Sequence, residues 1–426
     1  MKKSFKISTE TFHSSKKFIP MATQTFSKSI LQWPLGASPM FFDHAKGCVI
    51  RDVDGNKYID FLLALLPIVL GYQDKDVDNA VKRQMKKGVL FSMSHPIEIE
   101  LAEQLINIIP YADMVRFGKN GSDVLSAAVR LARAYTNKDI LLVAGYHGWH
   151  DWFIGSTTRN KGVPMAVQKL TKTFRMNDLY DLKNKIKKYS NKVAAIIVEP
   201  EGTFSTSKEY LVELKKICKK NGIVLIFDEI ICGFRTRLGG ASEKYGVYPD
   251  LGCFGKSMAN GYPISAIVGK RKIMKLMDEI FFSGTFAGET ISIAASIATI
   301  KKLKANNIPY KINELGKFFK NETNRVINKM ELKDIFWCSG NDWWPRLVIK
   351  KNNAFMMHLF RQEAINNGLF IGSGFNLCLS HNNKIIKTKT IKSIEKTMAN
   401  IKTILNSSNP SLYLKGKKLK GVFEVR

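Results

Sequence analysis

The stretch Ile223-Val-Leu-Ile-Phe-Asp228-Glu229, with Gly255-Lys256-Ser257 a short way downstream, decides the fold. Five apolar residues in a row, bulky or β-branched, read as a strand buried on both faces. The strand then ends on an acid pair instead of more apolar residues. In open α/β sheets ligands sit just beyond the carboxyl ends of the strands, so Asp228 is well placed for chemistry. Lys256 follows the apolar run Leu251-Gly-Cys-Phe254 and is similarly placed. Taken singly, each has a plainer reading: an aspartate at a strand end is often a helix cap or turn residue, and a lone lysine is often a solvated charge.

Outward from this strand, a strand–helix rhythm runs from Met114 to about residue 305. Met114–Phe117 is short and extended, and Gly118-Lys-Asn-Gly121-Ser122 turns it into a helix. The apolar positions of that helix (Val124, Leu125, Ala128, Val129, Leu131, Ala132, Tyr135) recur at three and four residues. Ile140–Val143, Val193–Val198 and Ile264–Val268 read as strands, the second ending in Glu199-Pro200. Glu209–Lys220 reads as an amphipathic helix stopped by Asn221-Gly222 and carrying Cys218 on its packed side. The alternation implies an α/β fold with a mostly parallel sheet and helices on both faces.

Upstream, the first fifty residues lack a clear period, and the basic start Met1-Lys-Lys-Ser-Phe-Lys reads as a loose tail without a secretory core. Cys48 to Phe61 carries apolar runs around Asp54-Gly55, a hairpin signal. Leu62 to Leu70 is an apolar segment, and Asp76 to Lys87 has helical spacing. Pro96 opens another helix, with Ile99, Leu101, Ala102, Leu105 and Ile108 as its expected buried stripe. Beyond Pro309 come a lysine-rich helix, Trp337, Trp343 and Trp344, short apolar stretches and a last helix near Ile391–Leu405. These divisions predict an N-terminal segment (1–75) packing with a smaller C-terminal α+β domain (306–426), around a large central domain (76–305).

The chain of 426 residues, 45% hydrophobic and 11% aromatic, has the composition of a soluble globular protein and can bury a large core. Its longest apolar run, Phe61 to Leu70, is too short to span a bilayer, so no membrane partner is expected. Cys48, Cys218, Cys232, Cys253, Cys338 and Cys378 show no metal-ligand spacing and read as buried thiols of a cytoplasmic protein. The net charge of +30 raises a nucleic-acid partner. The lysines are scattered, however, as in Lys183-Asn-Lys-Ile-Lys-Lys188, which suits solvated helix faces, and no nucleic-acid partner is expected.

Three further motifs complete the constellation. Gly118–Ser122 sits at a strand-to-helix turn, where free N–H groups and the positive helix end suit a phosphate equally with a capped turn. Gly145-Tyr146-His147-Gly148 follows a strand, and an aromatic there can lie flat on a cofactor ring. His147 lacks a second ligand at metal spacing and reads as a hydrogen-bonded structural histidine; no metal is expected. Ser283-Gly284-Thr285-Phe286-Ala287-Gly288-Glu289 leads into an Ala/Ile-rich helix. An acid and an amine at neighbouring strand ends can together serve pyridoxal phosphate, the carboxylate pairing the ring nitrogen and the lysine its aldehyde.

In this order the motifs resemble the class III (fold type I) pyridoxal-phosphate aminotransferases, in the branch of glutamate-1-semialdehyde 2,1-aminomutase. The resemblance runs from about Pro39 to Lys304. It is dense at Asp52–Asp60, Val129–Tyr135, Phe227–Arg235 and Pro249–Lys256, and weak in the C-terminal part. It implies a large domain with a seven-stranded type of sheet and a cofactor, pyridoxal 5'-phosphate. Lys256 matches the Schiff-base lysine and Asp228 the partner of the pyridine nitrogen. Gly121 and Ser122 match the phosphate turn, Tyr146 the aromatic over the ring and Ile230 the apolar residue on its other face. Thr285 matches a threonine reaching the neighbouring subunit's phosphate, which implies a homodimer with shared sites. The implied partners are a small amino donor and a carbonyl acceptor.

Two departures bear on the reaction. The aminomutase carries an arginine for the substrate carboxylate in an N-terminal Asn-Ser-Pro-Val-Arg segment. Here the region reads Gln32-Trp-Pro-Leu-Gly-Ala-Ser-Pro39, with no arginine before Arg51. A bidentate clamp is hard to replace. The turn after the lysine is also changed, to Met258-Ala-Asn-Gly-Tyr-Pro263. Intermolecular amino transfer is therefore preferred to the aminomutase reaction. Arg235 is a carboxylate-binding or a structural arginine, and a catalytically silent binding protein is the remote third reading.

Overall fold

The computed structural model describes residues 3–202, 205–350, 353–416 and 419. They form two compact units: one drawn from the chain up to Asp74 and from Lys311 onward, the other from Lys75–Tyr310.

In the first unit, β1 (Phe42–Lys46), β2 (Val49–Asp52) and β3 (Lys57–Asp60) form an antiparallel meander. β3 then pairs in parallel with Leu369–Phe370. The Asp-Gly turn is tied down by the buried Asp52 carboxylate, which accepts from the Asn56 N–H at 2.7 Å and the Tyr58 hydroxyl at 2.7 Å. Within the first fifty residues, where the sequence shows no clear period, the chain forms a helix, Lys6–Ser15. The Asp54 carboxylate accepts from the N–H groups of Ile7 and Ser8 at 2.8 and 2.9 Å, so the cap arrives from the hairpin and leaves no local signal. The apolar segment after β3 winds left-handed at Leu63, Ala64, Leu65 and Leu66, with φ of 47°, 53°, 74° and 85°. That conformation costs roughly 1–2 kcal/mol per residue. It is anchored by the buried Asp60 carboxylate, which accepts from the N–H groups of Leu62 and Leu63 at 2.7 and 3.0 Å.

The second unit is built on a seven-stranded sheet: β4 (Met114–Gly118), β5 (Ile140–Ala144), β6 (Thr171–Thr173), β7 (Val193–Val198), β8 (Val224–Asp228), β9 (Leu251–Phe254) and β10 (Ser265–Gly269), in the spatial order β4-β10-β9-β8-β7-β5-β6. β10 runs antiparallel to both β4 and β9, and the other pairings are parallel. The uninterrupted apolar run of β8 has a simple cause. Val224 and Ile226 enter the cluster under the helix Gly121–Thr136, while Leu225 and Phe227 enter the one under Lys208–Lys220. β7 divides its residues the same way, Ala195 and Ile197 against Ile196 and Val198.

The six cysteines are buried and free, and none of the helices among the described residues is long and apolar enough to cross a membrane. Two expected core positions lie outside. Ile99 is 63% exposed on the helix Ile97–Ile108, and Tyr135 is 41% exposed with the Lys272 ammonium over its ring. Their periodicity is helical, but the sheet covers a narrower stripe than the apolar residues span.

The acid pair after β8 divides its labour. Glu229 turns away from the strand end and is fully buried, accepting from the N–H groups of Ala241 and Ser242 at 2.7 and 2.9 Å and from the Cys232 thiol. It holds the turn that follows Asp228 in place. Glu229→Ala should cost about 2–3 kcal/mol by stranding those two donors. A lowered thermal midpoint checks this, and an unchanged midpoint contradicts it.

Candidate active site

The parallel register builds the site. Ala144 on β5 pairs with Val198 on β7, and Val198 pairs with Phe227 on β8. The next residues, Gly145, Glu199 and Asp228, therefore stand abreast where the three strands end. Asp228 in turn pairs with Cys253 on β9, three residues before Lys256.

Asp228 is 4% exposed. Its Oδ2 lies 2.8 Å from His147 Nδ1, and its Oδ1 accepts the Ile230 N–H at 3.1 Å. His147 is fully buried, and its ring edge packs on Phe153, which also packs edge-on against Tyr146. Tyr146 itself is 43% exposed. A carboxylate has roughly four acceptor positions, so Asp228 retains capacity for one more donor.

Lys256 begins a short 3-10 turn at φ 34°, in the left-handed region that a side chain disfavours, and strain of this kind persists where the surroundings impose it. Burial depresses its ammonium below the usual lysine range, partly offset by the charges of Asp228 and Glu199. Glu199 is pushed the other way, up to about 7, first by burial and then by Asp228, with His147 and Lys256 opposing. Arg235 is fully buried beside this cluster, and burial also raises the Cys232 thiol.

The helix Gly121–Thr136 opens towards the same strand ends. Asp123 accepts from the N–H groups of Asn120 and Lys119 at 2.7 and 3.1 Å, its half of a reciprocal capping box with Asn120. Ser122, not needed for capping, has its hydroxyl on the Trp149 N–H at 3.3 Å. Gly148, at φ 97°, admits this contact, because a Cβ there would fall 2.3 Å from Ser122 Oγ. Ile230 sits between two other glycines. A Cβ on Gly121 would lie 3.1 Å from it and one on Gly255 3.2 Å, so the lack of side chains on both glycines lets Ile230 pack close to their backbones.

The structure thus brings Gly121, Ser122, Tyr146, Asp228, Ile230 and Lys256 to one end of the sheet. Thr285 lies elsewhere in this unit. It is exposed on a loop beside a cavity of about 660 Å³ lined also by Phe91, His95, Arg116 and Phe282. Sequence reasoning missed two members. His147 was read as a hydrogen-bonded structural residue without a partner; its partner is Asp228. Glu199 was read only as a strand end, and its place in the row is visible only from the register.

Among known proteins, the class-III aminotransferase profile matches residues 34–337. The 3-aminobutyryl-CoA aminotransferase of Cloacimonas acidaminovorans is 35% identical over 92% of this chain and 97% of its own length. A glutamate-1-semialdehyde 2,1-aminomutase of Lachnoclostridium phytofermentans is 34% identical over 76% of this chain and 80% of its own. Among solved structures, the FumI protein of Sphingopyxis sp. MTA144, in a PLP form, superposes with a TM-score of 0.87 at 25% identity. That match covers 95% of this chain and 98% of the other. The similarity therefore extends into the C-terminal part, where the motifs themselves are weak.

Proposed function

This chain belongs to the class-III aminotransferases and is a pyridoxal-phosphate-dependent aminotransferase; from that premise we propose that Lys256 and Asp228 carry its chemistry. Gly121, Ser122, Tyr146 and Ile230 hold the cofactor in this reading. The residues present fit the group. Asp228 has an acceptor position to spare, Lys256 supplies an amine three residues beyond the Asp228 partner on the neighbouring strand, and the first-turn N–H groups of the helix at Gly121 suit a phosphate.

When bound, pyridoxal phosphate supplies an aldehyde to take the amino group and a ring that draws electrons from the adjacent carbon. Asp228 keeps a proton on the ring nitrogen, and His147 fixes the carboxylate's orientation from behind. Lys256 Nζ, depressed by burial, sheds its proton readily and then takes and returns a proton at the substrate carbon as general base and acid. Tyr146 offers a ring face at the mouth of the site and excludes water from one side.

The transfer is intermolecular in our reading, and one observation carries that preference. The segment where the aminomutase places its arginine, Gln32 to Pro39, holds none, and the first arginine of the chain is Arg51. Arg235 is wholly enclosed and is assigned a structural role. The aminomutase reaction is the second reading, supported by the identity to the L. phytofermentans protein.

The protein works as a homodimer in this proposal. Met93, Ile99, Phe281 and Phe286 are 84%, 63%, 79% and 62% exposed, all in the same unit as the Thr285 loop. So much apolar surface suits burial against a second copy, and Thr285 would then serve the neighbour's site.

Two measurements follow. Incubation with ¹⁵N-labelled amino donors and a set of carbonyl acceptors should place the label in a second molecule, read by mass spectrometry. Turnover of glutamate-1-semialdehyde alone, with every donor failing, contradicts intermolecular transfer. Phe286→Asp should weaken association by about 2 kcal/mol or more, raising the dimer dissociation constant about thirty-fold in sedimentation equilibrium; a wild-type protein that sediments as a monomer contradicts the dimer.

A further inference from the structure

Glu199 is the one ionisable side chain in the strand-end row to which the proposed chemistry gives no task. Its placement is nonetheless tightly specified. It follows six consecutive buried residues of β7, so its backbone has no freedom. Its carboxyl is wedged between two glycines. A Cβ on Gly145, at φ 117°, would lie 2.9 Å from Glu199 Oε2, and one on Gly202 would lie 3.2 Å from the same oxygen. The Tyr146 N–H bonds to the carboxyl inside this cradle. A side chain needed only to fill space would not require two neighbours without side chains, one of them in a left-handed conformation.

The charged groups around it are few and specific. Asp228 faces it from β8, His147 and Tyr146 from the turn after β5, and Lys256 from the turn after β9. Lys256 is faced in its turn by Asp228, Glu199, Arg235 and the Cys232 thiol. Glu199 is thus in electrostatic contact with both Asp228 and Lys256, and its sign is opposite for the two. A second carboxylate beside Asp228 is unfavourable, whereas a carboxylate near Lys256 stabilises the ammonium.

We propose that Glu199 is a positioning acid of the active site: held in its glycine cradle abreast of Asp228, its charge sets whether a free Lys256 keeps or releases its proton. Neutral Glu199 removes one negative charge from beside Lys256, which then releases its proton more easily. Ionised Glu199 restores that charge and holds the proton on Lys256. Because burial and Asp228 push Glu199 up to about 7, the change between these states falls near neutral pH. The inference deepens the reading of Lys256 as the proton-carrying amine and rests on it.

The test uses the full-length chain stripped of its cofactor, labelled with trinitrobenzenesulfonate across a pH series. Label on Lys256 is quantified by peptide mass spectrometry, with the exposed Lys183 as internal reference. The unprotonated amine is the reactive form. Where wild-type Glu199 is charged it opposes release of the Lys256 proton, so removing that charge lowers the Lys256 midpoint. In Glu199→Gln, labelling of Lys256 on the acid side of the wild-type midpoint should be about tenfold faster, with Lys183 unchanged. Glu199→Asp, which keeps the charge, should restore most of the wild-type curve. Coincident wild-type and Gln curves overturn the proposal. If Glu199→Gln does not fold, Gly202→Ala, which crowds the same oxygen, is read instead: a displaced Lys256 curve supports the proposal and a coincident one overturns it. A Lys256 curve indifferent to Glu199 leaves amino transfer itself standing, and absent transfer with a displaced curve leaves the Glu199 result standing.

Discussion

The parallel ladder across β5, β7 and β8 is the constraint on which the rest depends. Its register sets Gly145, Glu199 and Asp228 side by side, and neighbouring residues of parallel strands present their side chains to the same face. No local preference could bring these three together, since they lie in segments separated by dozens of residues. The apolar interiors of the strands make the register stiff, because a slip of one residue would exchange the two core faces. The chemistry at the strand ends is positioned by packing several residues away from it.

That placement creates an electrostatic problem which the surrounding groups resolve. Like charges close together in a partly buried site repel by on the order of a few kcal/mol, and burial together with the Asp228 charge pushes Glu199 up to about 7. His147 and the Ile230 N–H are bonded to Asp228. Glu199, with the Tyr146 N–H as its neighbour, is left nearer neutrality. Burial pushes the Lys256 amine towards its uncharged form, while these same carboxylates restrain it. The site is balanced between desolvation and charge, and small changes in either would shift who holds the proton.

Much of this is legible in the chain and some is not, for identifiable reasons. The run from Ile223 to Asp228 could be read as a doubly buried strand because both of its faces are apolar, and the two clusters it feeds bear this out. Asp228 and Lys256 stand out because polar residues interrupt apolar runs. Glu199 interrupts one as well, but a carboxylate before a proline has too many ordinary explanations. His147 has its partner 81 residues away, out of reach of any spacing argument. The helix Lys6–Ser15 was missed because Asp54 caps it from a distance, and the left-handed turn at Leu63–Leu66 because leucines carry no signature of positive φ. In the stripe Ile99 to Ile108 the helical period holds and Leu101 and Leu105 are buried, but Ile99 faces outward, and periodicity cannot distinguish a core position from an interface.

The central claim is that the amine at the end of β9 and the carboxylate at the end of β8 serve one cofactor. Borohydride reduction of the cofactor-loaded protein, followed by peptide mapping, tests it most directly. The account predicts the added pyridoxyl mass on the peptide containing Lys256, and its loss of fixation when Asp228 is replaced by alanine at limiting cofactor. Fixation on any other lysine, or none at all in a protein that still transfers amino groups, would contradict it.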